Sequence, residues 1–570
     1  MKGESASAPL LFTVALRAKA NTAPAFRLVQ RAGQRLRCAA IMAKPPIPSA
    51  SVPTLPVGEK RVRSLHGTRR AGRALGAVAV LLAGCVSDRA YRDRDSRPWP
   101  HKTQADFVQG VQKEQYEPFT TAQPNHRFDL SYIEFDEKGD YWDRRQLGWT
   151  VQAIKHATRA KDVLLVVYVH GWQNDASDLP GHDVGKFRCL LENLATADGG
   201  QRRFFGVYIG WRGKSVPGGD GWFKEGSVAD LFSKAVFFVP HELSFYNRKD
   251  TATRVAGLPV TEAIFQSVAA ARNGARVSGH RARTILIGHS FGALVLEKAM
   301  AQALAAKVIS EDSASGGMFT TPADFMILLN SAGESIYAKE MTDMLRRRQS
   351  AGGGADEISA RHPLIVSITS KADWATGALF PIGTRLSNAG GTFRKYEWDT
   401  KYGDSSHNVS QREYFTSTPG HNDRLISHEA VADKGSPHLP AYQYTDGCSP
   451  AMLDAFRRNL SEPLTGPGEE IRFVTVAANG EETEWMLKPK LEQKLQTPYW
   501  IISVPKEIMR DHGDIFNENA LAMMARLFRV SNPREQRGVA TSAAPRTMHF
   551  TDPDAGGKPL PPPVPMKRKP

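Results

Sequence analysis

One pentapeptide in this chain could carry out nucleophilic chemistry: Gly288-His289-Ser290-Phe291-Gly292, a G-x-S-x-G pattern. A serine hydroxyl is a weak nucleophile at neutral pH and attacks an acyl carbon only beside a group that takes its proton. In a chain with 48 glycines the pattern alone is weak, so its context decides. Thr284-Ile-Leu-Ile287 runs straight into it, and an Ala/Leu-rich stretch from Ala293 to Val308 runs out of it. Strand, tight turn, helix is the arrangement that lifts a serine clear of a sheet edge, and flanking glycines suit a turn where side chains would collide. A second cluster, Tyr168-Val-His-Gly-Trp172, closes the buried run Val163–Val169.

The elements that must position these residues are legible as alternating apolar runs and helical stripes. Val163–Val169, Phe204–Ile209, Thr284–Ile287, Phe325–Leu329, Leu364–Ile368 and Tyr499–Val504 read as strands buried on both faces. Tyr132–Phe135 and Asp140–Trp142 suggest a short early hairpin. Helices are expected over Trp142–Ala160, Val260–Arg272, Ala293–Val308 and about Phe516–Phe528. Phe187, Leu190, Leu191 and Leu194 place another at i, i+3, i+4, i+7 spacing. This pattern predicts an α/β protein with a doubly wound, mostly parallel sheet. The long gap before the last strand, residues 381–494, reads as an insertion or cap. It contains two runs around Asn479-Gly480, which predict a type I′ hairpin.

With strand, elbow and helix in that order, the sequence resembles the α/β-hydrolase family of serine esterases and lipases over roughly residues 127–380 and 495–530. The resemblance implies the α/β-hydrolase fold and a triad in the chain order serine, acid, histidine. Ser290 is then the nucleophile. Asp373, in Thr369-Ser-Lys-Ala-Asp373 just past a strand, is the acid, with Glu334 as runner-up. His512, in Met509-Arg-Asp-His-Gly-Asp514 after the last strand, is the base. His407, His421, His428 and His438 lie in the insertion and read as surface histidines; Asp511 and Asp514 read as a loop carboxylate and a helix cap. The family's HG-x motif implies an oxyanion hole from the backbone N–H of Trp172 or Gly171 together with that of Phe291. His170 would hold that loop. Trp211 and Arg212, at the carboxyl end of the second strand, are expected on the substrate-binding wall. Val216–Asn247, with Trp222, Phe223, Phe232, Phe237 and Phe238, reads either as a lid or as ordinary helix and loop.

The net charge of +15 over 570 residues would suggest a nucleic-acid partner, but its location argues otherwise. Residues 1–84 carry 14 Lys/Arg against two Asp/Glu, and residues 538–570 carry five against two. Those two segments account for the whole excess. Arg69, Arg70 and Arg73 precede the apolar run Ala74–Leu82, which is too short to span a bilayer and reads as a signal peptide. Leu82-Ala83-Gly84-Cys85 resembles the bacterial lipobox, which implies lipidation of Cys85; Val86 after it implies outer-membrane sorting. Translation is expected to start downstream of Met1, at Met42 or near residue 57.

The expected organisation is therefore a leader (1–84), a tether (85–125), a hydrolase core (126–380), the insertion (381–494), the last core strand and helix (495–537) and a disordered Pro-rich tail (538–570). Four cysteines exclude a disulfide-stapled scaffold, Cys189 reads as buried beside a helix stripe, and nothing has metal-ligand spacing. No cofactor is expected. The reading is an exported, membrane-tethered serine hydrolase of lipid or small-molecule esters, with no nucleic-acid partner. A phospholipase or lipase, or a non-catalytic binding protein on a hydrolase fold, is the alternative.

Overall fold

Alternate residues of the run Val163–Val169 are buried on opposite sides of a sheet. Val163, Leu165, Val167 and Val169 join one apolar cluster, and Leu164, Val166 and Tyr168 join another. A strand can be apolar throughout only if both of its faces are covered, and both are. The structure, a computed structural model, describes residues 90–92, 111–116 (backbone), 126–172, 174–177, 183–213, 248–310, 321–352, 362–387, 391–396, 409–440, 450–461, 471–477, 479–490 and 497–531. The leader, Cys85, the segment Val216–Asn247 and the tail lie outside the described residues.

The main-sheet strands are β1 (Val111–Tyr116), β2 (His126–Glu134), β3 (Val163–Val169), β4 (Arg203–Gly210), β5 (Ala282–His289), β6 (Phe325–Leu329) and β7 (Ile365–Ser370). A two-stranded pair, β8 (Lys395–Tyr396) and β9 (Val409–Ser410), stands apart. The main sheet is completed by β10 (His428–Lys434), β11 (Ile471–Val476), β12 (Glu482–Pro489) and β13 (Tyr499–Val504). The helices are α1 (Arg145–Ala160), α2 (Asp183–Asp198), α3 (Leu258–Val277), α4 (Phe291–Ser310), α5 (Ser335–Gly352), α6 (Phe380–Ser387), α7 (Gln411–Phe415), α8 (Pro450–Ser461) and α9 (Glu518–Val530).

The sheet has 11 strands in the order β1-β2-β4-β3-β5-β6-β7-β13-β10-β12-β11. Neighbours from β2 through to β10 run parallel; β1 on β2, β12 on β10 and β11 on β12 are antiparallel. The chain is thus α/β with a mostly parallel sheet. Leu147 and Ile154 of α1, Val260 and Ile264 of α3 and Leu294 of α4 pack on one face. Phe187, Leu190, Leu191 and Leu194 of α2, with Leu521 and Met524 of α9, pack on the other. From β3 the chain steps outward to β4 and then returns to place β5 on the opposite side of β3. The order of strands therefore reverses between β3 and β5, which opens a crevice at their carboxyl ends.

Four expectations need correcting. The tether carries a strand, β1, because the open edge of β2 offers unpaired backbone groups that Val111–Tyr116 fill. The early hairpin shrinks to one bridge, Phe135 to Tyr141, since β2 pairs instead with β1 and β4. The segment read as an insertion or cap sends β10, β11 and β12 into the main sheet, extending it beyond β13. Its hairpin is not type I′. That turn needs left-handed residues at both Asn479 and Gly480, and among the described residues of the turn only Gly480 is left-handed (φ +85°), with its N–H closing a turn onto the Ala477 carbonyl at 2.8 Å.

Candidate active site

Ser290 follows β5 directly and has φ +55°, in the left-handed region. Such a conformation is uncommon for a non-glycine residue and persists only where the surroundings hold it. The surroundings here are hydrogen bonds and close backbone approach. Ser290 N–H donates to the Leu329 carbonyl at 2.9 Å, and its own carbonyl accepts from Ala293, Leu294 and Ala332 at 3.1–3.2 Å. Gly292 lies so close to β3 that a Cβ there would sit 2.1 Å from the Val169 carbonyl oxygen, and one on Gly288 would sit 2.7 Å from Ala293 Cα. Both flanking glycines are therefore dictated by space.

The His512 Nε2 atom lies 2.7 Å from Ser290 Oγ, and His512 Nδ1 lies 2.9 Å from both carboxylate oxygens of Asp373. The three residues come from the ends of β5, β7 and the loop after β13, so the sheet edge brings them together across more than 200 residues of chain. Asp373 is 1% exposed. Burial opposes its charge, yet His512 and two hydrogen bonds from Thr376 hold the carboxyl below its ordinary range. For His512 burial likewise opposes the cation, but Asp373, with Asp511 and Asp183 farther off, outweighs it and raises the imidazole above its ordinary value. The arrangement can take a proton from Ser290 Oγ onto His512 Nε2 and stabilise the resulting imidazolium.

Several groups fix His512 in place. Its carbonyl accepts from His289 Nε2 and from Asn330 Nδ2, each at 2.9 Å. Asn330, itself left-handed at φ +44°, also accepts from Ser370 N–H at 3.0 Å and so ties the ends of β6 and β7 to this loop. Behind His289 lies Asp183, the first residue of α2, 3.3 Å from His289 Nδ1 and accepting from Tyr168 Oη at 2.6 Å. Burial opposes the Asp183 charge, but His289 and Lys186 hold its carboxyl far below the usual range. Asp511 Oδ1 accepts from the N–H groups of Gly513 and Asp514, closing a tight turn around His512.

The loop after β3 packs over the serine. A Cβ on Gly171 would lie 2.8 Å from Ser290 Cβ and 2.8 Å from the His289 carbonyl oxygen, so only glycine fits there. His170 is fully buried. Its Nε2 accepts from Trp211 N–H at 2.9 Å, which leaves the proton on Nδ1, donated to the Gly171 carbonyl at 2.9 Å. Burial lowers its pKa further. His170 is thus a neutral loop-holder. Phe291 begins α4, so the amino end of that helix opens at Ser290; Trp172 is 8% exposed at the head of the β3 loop.

Other expected site residues fall elsewhere. The Trp211 indole is 2% exposed, stacked parallel to His170 with its Nε1–H donated to the His170 carbonyl at 3.0 Å. It supports the loop from within rather than forming an open wall. Arg212 pairs with Glu137 at 3.1 Å. Glu334 is taken up by Lys249 at 2.7 Å rather than by a histidine. Asp514 is not the cap of α9: Asn517 is, accepting from Asn519 and Ala520 N–H. His428 is buried rather than on the surface, and burial pushes it down to about 3. His421, also read as a surface residue, lies beside the acid: its Nε2 is 3.1 Å from Thr376 Oγ1, which donates to Asp373 Oδ2 at 2.5 Å. Cys189 is disulfide-bonded, which spacing alone does not show. His407 and Cys85 are outside the described residues. Among the described residues no group of three or more His, Cys, Asp or Glu is placed to hold a metal ion.

No protein-family model and no curated protein matches the chain. Among solved structures, an uncharacterized protein from Pseudomonas aeruginosa is similar over 43% of this chain and 42% of its own length, at 12% identity with a TM-score of 0.16. The chain thus spans less than half of that protein, and a likeness this slight carries no argument about fold or activity.

Proposed function

We propose that the protein is a serine hydrolase of the α/β-hydrolase type that cleaves carboxylic esters through an acyl-enzyme. The observation that carries this is the unbroken contact from Ser290 Oγ to His512 Nε2 and from His512 Nδ1 to Asp373, at 2.7 and 2.9 Å, with the serine held left-handed at a strand–helix turn. In the first half-reaction Ser290 Oγ attacks the acyl carbon while His512 accepts its proton. The tetrahedral intermediate collapses, and His512 returns that proton to the leaving alkoxide. Water then attacks the acyl-enzyme by the same route and releases the acid. Asp373 keeps the Nδ1–H tautomer of His512 and stabilises its cation. The backbone N–H groups of Phe291 and of Trp172 or Gly171 are assigned to the oxyanion; the start of α4 adds the positive end of a helix dipole there.

The same reading places the protein outside the cytoplasm, anchored through Cys85 to a membrane, most simply the outer membrane. Two features support export: the basic and apolar leader before Cys85, and the disulfide at Cys189, a bond that persists in oxidising compartments. A lipase or phospholipase would use the same machinery.

Labelling with a fluorophosphonate probe tests the assignment. Wild type should label, while Ser290→Ala and His512→Ala should not. An unlabelled wild type removes the hydrolase reading in favour of a binding protein on this scaffold, and unchanged labelling of His512→Ala removes that residue from its role. A series of ester chain lengths against phospholipid vesicles then separates soluble-ester from membrane-lipid substrates.

A further inference from the structure

Asp373 is followed by an unusual turn. Residues Ala375–Leu379 wind as a π-helix, a form found mostly as single turns at functional sites. This turn brings Thr376 back onto the acid: its N–H lies 3.2 Å from Asp373 Oδ1 and its hydroxyl 2.5 Å from Oδ2. An ionised carboxylate only accepts, so the hydroxyl proton points at Asp373. Thr376 Oγ1 can then only accept from His421 Nε2, at 3.1 Å. The direction of the chain is fixed: His421 donates to Thr376, Thr376 donates to Asp373, and Asp373 accepts from His512.

His421 is itself firmly held. It ends the short turn Pro419–His421, whose Gly420 lies so near β7 that a Cβ would sit 2.1 Å from Thr369 Cβ. The next residue, Asn422, is buried and donates to Ser335 Oγ at the start of α5 at 3.0 Å. A Cβ on Gly377 would meet the His421 ring at 3.0 Å, so the π-helix and the imidazole are fitted to each other.

We propose that His421 is a positioning residue for the acid, setting the orientation and hydrogen-bonding load of Asp373 through the Thr376 hydroxyl and thereby the basicity of His512. This rests on the hydrolase reading for its consequence in rate, but not for its geometry. The titratable groups that bear on His421 are Asp373 and His512, and Asp511 and Asp183 act on His512 in turn. Lys371 and Asp423 nearby are engaged with Glu429 (3.4 Å) and Lys490 (3.5 Å). Burial keeps His421 neutral near pH 7, with Asp373 working against that and His512 reinforcing it. The sign follows. Removing His421 weakens the Thr376 donor, leaves more charge on Asp373 and favours the His512 cation, so His512 titrates at higher pH.

The test compares His421→Ala, His421→Gln, Thr376→Val and Thr376→Ser by two readouts. One is the rate of fluorophosphonate labelling of Ser290 against pH; the other is the His512 titration followed by NMR of ¹³C-labelled histidine. His421→Ala should slow labelling roughly three- to tenfold, the scale of a neutral hydrogen bond, and Thr376→Val roughly tenfold or more, the scale of one to a charged group; both should move the acid limb and the His512 titration upward. His421→Gln, which keeps a donor, and Thr376→Ser, which keeps the hydroxyl, should stay near wild type. Unchanged rate and titration in His421→Ala, or loss in His421→Gln equal to that in His421→Ala at unchanged thermal stability, overturns the proposal. If wild type does not label, the hydrolase reading fails, while an upward His512 titration in His421→Ala still supports the link and an unmoved one still overturns it.

Discussion

Ser290 follows its strand directly, Asp373 and His512 sit one short loop beyond theirs, and the chemistry proposed for them depends on charges that burial alone would suppress. A pH dependence follows. The active base must be neutral, and Asp373 raises His512 above the ordinary histidine value against the opposing effect of burial. The acid limb of kcat/KM is therefore expected above about 6.5, the unperturbed value, with activity falling as pH drops through it. Asp373→Asn should lower kcat by roughly 10⁴-fold, since the tautomer is no longer fixed, and should shift that limb downward. An upward shift measured in a pH–rate profile would contradict the pairing. At this scale the sequence reveals residues that follow apolar runs and motif positions. It does not reveal His421, Asp183 or Asn330, whose contacts with Thr376, His289 and His512 span 45, 106 and 182 positions. Asn330 left one faint trace: a polar residue directly after the buried run Phe325–Leu329.

Elements impose a second layer of constraint. α4 begins directly after the serine and carries Glu297 two turns later, buried beneath the loop after β6. A Cβ on Gly333 would sit 2.5 Å from Glu297 Oε2, and Tyr499 Oη lies 3.5 Å from Oε1. Burial, with Glu334 nearby, raises Glu297 to about 8. The folded state therefore keeps a proton that the unfolded chain releases above about 4.5. Stability is unpenalised below that value and falls as pH rises toward 8. Glu297→Gln removes the ionisable group while keeping the shape. It should stabilise the fold by roughly 1–3 kcal/mol at pH 8 and by much less at pH 5. Urea unfolding at the two pH values checks this, and an equal effect at both would exclude a proton held on Glu297. The strands were the most legible elements, because runs such as Val163–Val169 must be buried on both faces. β1 and the joining of β10–β12 to the main sheet were not, because edge pairing is decided by which backbone is left open rather than by side-chain pattern.

For the whole molecule, charge and cysteine usage bear on the proposed export. The positive excess is confined to the two terminal segments, leaving a body of balanced charge. If processing removes Cys38 with the leader and Cys85 takes lipid on its sulfur, the disulfide at Cys189 has one remaining candidate partner, Cys448. α8 begins two residues after Cys448 and packs on α2, which carries Cys189, with Arg457 reaching the Thr196 carbonyl at 3.5 Å. Peptide mapping of the unreduced mature protein should recover Cys189 linked to Cys448. A Cys189–Cys85 link would overturn lipidation of Cys85.

The sequence by itself determined an α/β chain, the positions of its central strands, and three residues able to act as nucleophile, acid and base. Burial on both faces, helical periodicity and strand-end placement are local properties written in consecutive residues. Only the tertiary structure decided that the three meet at 2.7–2.9 Å, that Trp211 supports a loop rather than lining a wall, and that His421 stands behind the acid. Those outcomes depend on strand order and on close approaches between segments far apart in the chain, where distance in space bears no relation to distance in sequence.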